Sequence, residues 1–555
     1  MNLSSPQPHV CVPKSLQSRG CGWLAPAAAL CSWLLTFGIS SAQLRPDEVL
    51  VVYDSRITDS RDVAEYYAGS LKVPGGAGGL AGARRGVRVF DLASSGATVT
   101  VPGNITYANF GPRLRVPIRD YLGNSGLAQR IRCLVLTKGL PHRILDSDTN
   151  DIMDFPGSVV DEIVANDANA ASVDTELTLL WQDLTSGEAG GSADSKSDGV
   201  VLNPFWKSAV SITVQTNVNN TVAKTLGGSG IGPVWITSGG VTSTTRLNPG
   251  DIYLVCRLDG RTIADVRGMI DRAQNLYVNI QTAALLLDES ASNGVADAAS
   301  NGEFDNSGSG FPALRDADDY EFTRDITTAD GRWAAANIRY NSLSGFNQFF
   351  VGPRLSWMNT HGILVTSPVV LVASYGANHS GQPLTSGGVT GGTVYATSYN
   401  YANGAVFNTI ESYNCRDLGG LGQLPFAVQQ QAADFIGAGG TFAVGNVWEP
   451  LADSVPDNRY LVQNFLLGNM CWAEAAWSSI PALSWMQIAL GDPLARVQRS
   501  SEDINADGRV GADDLYAWEK LPTDINRNGT TDAADRTILV RAIRAAERTD
   551  SLIPR

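Results

Sequence analysis

Two twelve-residue stretches near the end of the chain carry its clearest chemistry: DINADGRVGADD from Asp503 and DINRNGTTDAAD from Asp524. Positions 1, 3, 5 and 12 are Asp503, Asn505, Asp507 and Asp514 in the first copy, and Asp524, Asn526, Asn528 and Asp535 in the second. Every one offers a side-chain oxygen. A hard cation such as Ca²⁺ takes about six to eight oxygens at roughly 2.3–2.6 Å, and alternate residues of a tight loop turn inward to supply them. Position 7, Arg509 and Thr530, adds a backbone carbonyl, and position 6, Gly508 and Gly529, makes the sharp turn. Two loops in register predict two Ca²⁺ sites.

What must hold these loops is a pair of helices, one after each. Asp513 to Lys520 and Ala533 to Glu547 read as helical, Pro522 separates them, and Leu515, Tyr516, Trp518, Ile538, Leu539 and Ile543 recur at helical spacing. This duplicated loop-then-helix pattern resembles type I dockerins. The resemblance implies a small all-α, calcium-dependent domain over residues 499–549 with a cohesin-like or other surface protein as partner. In the family, loop positions 10 and 11 often carry the hydroxyls that touch the cohesin; here they are Ala512 with Asp513 and Ala533 with Ala534. A self-folding calcium-dependent cap is the alternative, since metal binding and folding are coupled where no preformed site exists.

The rest of the chain sets the context. At 555 residues it exceeds one ordinary core, so several subdomains are expected. With 55 acidic against 41 basic residues the net charge is −14, which disfavours nucleic acid and anionic lipid as partners. Residues 1–42 contain Lys14 and Arg19, no acid, an apolar stretch from Gly22 to Ile39 and then Ser40, Ser41, Ala42. That order reads as a signal peptide, so the mature chain is expected to start near Gln43, secreted or held at the cell surface, with no membrane span. Cys133, Cys256, Cys415 and Cys471 are too dispersed for a disulfide framework, and the first two sit in apolar runs as small buried hydrophobes.

Between the leader and the loops, apolar runs of strand length alternate with helical stretches. EVLVVYD (from Glu48), VRVFDL (from Val87), IRCLVLTKG (from Ile131) and DIYLVCRLDG (from Asp251) are strands; Asp59 to Leu71, Ile118 to Leu122 and Thr262 to Leu287 read as helical. VVLVAS, AVFNTIES, GTFAVGN and WMQIALGDPLARV continue the series to Val497. Such alternation predicts an α/β fold, a layered, mostly parallel sheet with helices on both faces, in an amino-terminal subdomain 43–150 and a larger one 151–497.

LVVYD, LVLTKGLPHRI, SVDTELTLL, CRLDG, ESYN, GTFAVGNVWEPLAD and LSWMQIALGDPLARV together resemble an uncharacterised family of exported bacterial proteins associated with PEP-CTERM envelope sorting. The strand order and terminal GDP are more distantly similar to gingipain-type cysteine peptidases of the caspase-like clan. That clan sets a histidine after one parallel strand and a cysteine after the next, because a thiol near pKa 8.5 needs a base or ion-pair partner to become a nucleophile. Here VVLVASYGANH ends at His379 and AVFNTIESYNC at Cys415, with Ser412 nearer the clan's usual nucleophile position. His142 and His361 are isolated and read as structural. The run Asp146 to Asp154 lacks the glycine turn of a calcium loop; Glu411, Glu449, Asp453 and Asp492, near predicted strand ends, could form a polar cleft. The readings these features leave are an exported calcium-binding protein with a non-catalytic binding or assembly role, a His379/Cys415 cysteine peptidase, and a component of an extracellular polysaccharide-handling complex.

Overall fold

Continuous apolar runs make strands buried on both faces, because a parallel sheet covered by helices leaves neither face to water. VLVVY (β1, Val49–Tyr53), CLVLT (β3, Cys133–Thr137), LVCRL (β4, Leu254–Leu258) and ALLLD (β5, Ala284–Asp288) are buried throughout. The other main strands are β2 (Arg88–Asp91), β6 (Ile338–Asn341), β7 (Val369–Tyr375), β8 (Tyr401–Ile410), β9 (Phe442–Asn446) and β10 (Gln487–Leu490). This computed structural model describes residues 43–145, 171–183, 201–215, 224–225, 236–237, 240–241, 247–274, 276–289, 319–343, 349–354, 362–375, 395–411, 413–419, 431–448, 450, 454–505, 510–526 and 528–550. The leader 1–42, residues 146–154, His361, His379, Ser412, Glu449, Asp453, Asp507, Gly508 and Arg509 lie outside them.

The ten strands form one sheet of two halves. In the order β2-β1-β3-β4-β10, five run parallel. In the order β6-β5-β7-β8-β9, the other five also run parallel. The halves join where β9 and β10 pair antiparallel, Ala443 opposite Leu490 and Asn446 opposite Gln487. Numbered by chain order within itself, each half reads 2-1-3-4-5, a doubly wound arrangement whose direction switches between its first and third strands. The second half is inserted between the fourth and fifth strands of the first, and the two carboxyl edges lie at opposite ends of the sheet. Strands from both sides of residue 150 therefore share one half.

Helices cover both faces at β4. Adjacent strand residues point to opposite faces. Arg257 meets Asp174 on α3 (Val173–Thr178), whereas its neighbour Cys256 is within electrostatic reach of Cys471, at the start of α7 (Trp472–Ser479). The remaining main helices are α1 (Thr58–Ala68), α2 (Val116–Asn124), α4 (Ile263–Arg272), α5 (Asp319–Asp330), α6 (Ala432–Gly437), α8 (Ala512–Lys520) and α9 (Ala533–Asp550). The helical reading of Thr262 to Leu287 needs correction: α4 stops at Arg272, and Ala284–Asp288 is the central strand β5. Three consecutive leucines satisfy either period, and pairing with β6 and β7 decides for strand. Among the described residues no helix is long and apolar enough to cross a membrane.

The tail has a core of its own. Trp518, Ile525, Leu539 and Ile543 bury one another, with Ile504, Val510, Leu515 and Ile538 packed around them, separate from the main core. Gln498 Nε2 donates to the Ile504 carbonyl at 2.8 Å, and Arg499 Nη2 to Asn469 Oδ1 at 2.7 Å, where the tail leaves the body.

Candidate functional site

The two tail loops fold as copies of each other. In the first, the position-12 carboxylate of Asp514 accepts the Asn505 N–H on Oδ1 at 3.0 Å and the Gly511 N–H on Oδ2 at 2.7 Å. In the second, Asp535 accepts the Asn526 N–H on Oδ1 at 3.0 Å and the Asp532 N–H on Oδ2 at 2.8 Å. These two partners of Asp535 are thus the loop equivalents of the two partners of Asp514. The Ile525 N–H also reaches Asp535 Oδ1, at 2.9 Å. Both carboxylates are buried, and the Asp532, Asn526 and Ile525 amides hold Asp535 below the usual carboxylate range.

Around the second loop the other donors turn inward. Asp524 accepts the Asn528 and Gly529 amides at 3.2 and 2.7 Å, Asn526 Oδ1 the Asn528 amide at 3.0 Å, and Asn528 Oδ1 the Thr530 amide at 2.8 Å. Gly529 sits at φ +87°, a left-handed turn that glycine adopts without strain. Among the described residues no three His, Cys, Asp or Glu side chains gather as a metal cluster. Asparagine oxygens occupy two of the four side-chain positions of the second loop, so a carboxylate census undercounts its donors. Each carboxylate oxygen carries two lone pairs, so accepting one N–H leaves capacity for an ion. The donor set is all oxygen, which suits Ca²⁺ and not a soft metal.

The thiol proposed for catalysis lies elsewhere, at the seam between the half-sheets. After β8 the chain turns back along β9: the Tyr413 N–H meets the Trp448 carbonyl at 3.1 Å and the Cys415 N–H the Asn446 carbonyl at 2.9 Å. Cys415 then rests on Gly445, where even a Cβ would approach Sγ to 2.6 Å. The thiol is 1% exposed, and its burial, with the nearby Asp174 carboxylate, pushes its pKa well up against the weaker pull of Arg257.

Cys415 belongs to a buried polar network. Arg257 donates to Asp174 through Nε at 2.9 Å and Nη2 at 2.7 Å, and to the Leu140 and Pro141 carbonyls at 3.2 and 2.6 Å. His142 Nε2 lies 2.8 Å from the Arg416 carbonyl, which can only accept, so Nε2 carries a proton there. Burial, then Arg143 and Arg257, push the His142 pKa well below its ordinary value, and the ring is neutral. Trp448 lies against two guanidiniums, Arg143 at 4.9 Å and Arg416 at 5.0 Å from the ring centre. Sequence reasoning missed this network. Asp174 and Arg257 lie 83 residues apart, and only the packing of α3 on the Arg257 face of β4 brings them together.

These features set one test in advance. A thiol with this burial should react with iodoacetamide no faster than Cys133, also wholly buried, until the chain unfolds. Mass spectrometry of timed alkylation reads the comparison. Rapid labelling of Cys415 alone would mean a thiolate that this geometry does not produce.

At the carboxyl edge of the second half, Asn341, Asp288, Ser374 and Thr409 stand side by side in register across four strands, all buried. Asp288 accepts Asn341 Nδ2 and the Phe350 N–H, both at 2.7 Å, yet burial raises its pKa to about 7. Glu176 on α3 is likewise raised to about 7 by burial, against a 2.5 Å hydrogen bond from Ser484 Oγ and the charge of Arg115. Both folded pKa values exceed the unfolded ones, so the native state binds more protons between about pH 4 and 7 and loses stability as pH rises through that window. Each group surrenders about 3–4 kcal/mol at most. With calcium saturating throughout, the melting temperature should be lower at pH 8 than at pH 5, and Glu176→Gln should flatten the dependence. A flat profile in the parent chain would contradict the burial assigned to both acids.

A scan of protein-family models, a search of curated proteins and a search of solved structures each returned no match. The class rests on the geometry above: a ten-stranded, mostly parallel α/β sheet carrying a tail of two duplicated loops.

Proposed function

We propose that this chain is an exported calcium-binding protein whose residues 499–549 form a dockerin-like module, carried on a caspase/gingipain-type α/β body that binds a partner without turnover. The observation that carries the calcium reading is the repeated geometry of Asp514 and Asp535, each clasping the third residue of its own loop and the turn before its helix. Energetics favour the same reading. Domains below about 70–80 residues seldom hold together on their apolar core alone and use disulfides or metals. This one buries four large apolar side chains in its own core and contains no cysteine.

Ca²⁺ at each loop would be held by Asp503, Asn505, Asp507, the Arg509 carbonyl and Asp514, and by Asp524, Asn526, Asn528, the Thr530 carbonyl and Asp535. The ion supplies the positive charge that cross-links the start of each loop to the helix after it. The first loop offers three carboxylates to the second loop's two, and ligand charge raises affinity, so the first should fill at lower calcium.

For the body, the second half-sheet places β7, which leads to His379, beside β8, which leads to Cys415. That adjacency supports the caspase-type comparison, while the buried, protonated Cys415 favours a role in binding or assembly over hydrolysis. Limited proteolysis of the full chain tests the calcium reading: with calcium the segment after Arg499 should resist cleavage, and with a chelator it should be cut first while the sheet survives. Equal patterns in both conditions would remove it.

A further inference from the structure

At the carboxyl edge of the first half-sheet, the turn after β2 and the helix α2 enclose a cleft of about 700 Å³, within the roughly 300–1,000 Å³ of ordinary ligand sites. Its floor is a stacked aromatic pair, Phe90 and Tyr121, with ring centres 4.4 Å apart and planes at 17°. Ser94 and Ser95 line one wall; Asp120, Asn124 and Ser125 line the other.

We propose that this cleft binds a neutral saccharide. Ser94 Oγ donates to the Asp91 carbonyl at 2.6 Å, Ser95 Oγ to the Leu92 carbonyl at 2.7 Å, and Ser125 Oγ to the Tyr121 carbonyl at 2.5 Å. A hydroxyl has one proton, so these three can only accept from a ligand, and Ser95 Oγ already takes the Ala97 N–H at 3.2 Å. Asp120 adds a carboxylate. The Tyr121 hydroxyl is itself committed to the Val89 carbonyl at 3.2 Å, leaving the ring to contribute an apolar surface. Among the described residues that line the cleft there is no lysine or arginine.

Apart from the Asn124 amide, which can also donate, such a wall accepts hydrogen bonds, so its ligand must donate several. Anions are disfavoured by the same wall: a phosphate or uronate would meet Asp120 and several lone pairs, and the guanidinium that reaches a lining residue, Arg56 at the Ala97 carbonyl, is already paired with Asp54. A sugar ring fits on both counts, since its hydroxyls donate around the rim while its C–H face packs on an aromatic floor. The cleft lies in the α/β body and does not rest on the calcium reading of the tail.

Titration calorimetry on the full chain, in calcium and again in chelator, tests it with cellotriose, maltotriose and laminaritriose, against trigalacturonate and spermidine. At least one neutral trisaccharide should bind in both buffers and trigalacturonate should not. The double substitution Asp120→Ala, Asn124→Ala alters two exposed side chains, so the fold should survive, and affinity should fall by about tenfold or more. No heat from any neutral trisaccharide, or binding indifferent to the double substitution, overturns the proposal. Binding of spermidine in their place, lost in Asp120→Ala, would make the cleft a cation site and overturn it equally.

Discussion

Asp535→Ala should lower the calcium stoichiometry of the full chain from the two ions proposed to one, with the first loop still titrating. The effect is large because one carboxylate performs two tasks. It accepts three backbone N–H groups, from Ile525, Asn526 and Asp532, and so ties the start of the second loop to the first turn of α9. In the proposed site it also supplies the twelfth-position ligand. Alanine leaves three amides without their acceptor and removes one of the two negative charges in that donor set, and a hard dication held by the single remaining carboxylate of Asp524 and neutral oxygens is weakly bound. Asp514→Ala should do the same to the first loop through Asn505 and Gly511. Isothermal calorimetry reads the count, and two ions bound to Asp535→Ala would show that the ligand set is wrong.

The second large effect is expected at the seam. Asp174→Ala should destabilise the body by about 3–5 kcal/mol, because it strands a buried guanidinium in a site that water does not reach. Arg257 is 0% exposed, and its carbonyl partners Leu140 and Pro141 cannot neutralise its charge. The nearby Asp259 carboxylate, 3.9 Å from Nη1, is shared with Lys138 and compensates only in part. Removing both members of the pair, Arg257→Met with Asp174→Leu, should cost less than the sum of the single changes, since neither charge is then left alone. Urea denaturation at saturating calcium measures all five proteins: the parent, Asp174→Ala, Asp174→Leu, Arg257→Met and the double. Additive losses would mean that the two side chains do not act as a pair.

The two tail loops were legible in the sequence because the residues that shape them are contiguous: alternate side-chain oxygens and a glycine within twelve residues need no distant partner to be recognised. β1, β3 and β4 were legible because strands covered on both faces leave unbroken apolar runs. β6 was not, since it is an edge strand with Ile338, Arg339 and Tyr340 half-buried, and IRYN has neither an apolar run nor a clean alternation. The division into two half-sheets was hidden for another reason. It depends on Ala443 meeting Leu490 antiparallel, a pairing between segments whose sequences look alike whichever way they run. Cys415 was visible as a cysteine after a strand. Its burial was not, because that follows from the chain turning back onto Gly445.

His142 illustrates the same limit. Nothing in PHRIL marks its histidine as part of a network, yet the fold brings its Nε2 to the carbonyl of the residue after Cys415. The proton at Nε2 is committed to that carbonyl, which leaves this histidine poorly placed to activate the thiol from that nitrogen. Local pattern thus located the tail's loops, whereas the body's polar centre is assembled from five separated segments, at residues 140–143, 174, 257, 415–416 and 448.

The measurement that tests the central claim most directly is calcium titration of the metal-stripped full chain, followed by calorimetry and by the fluorescence of Trp518. Two ions per chain, with the indole shifting as it is buried beside Leu539 and Ile543, is the predicted result. Absence of heat, together with an indole spectrum unchanged by calcium, would contradict it.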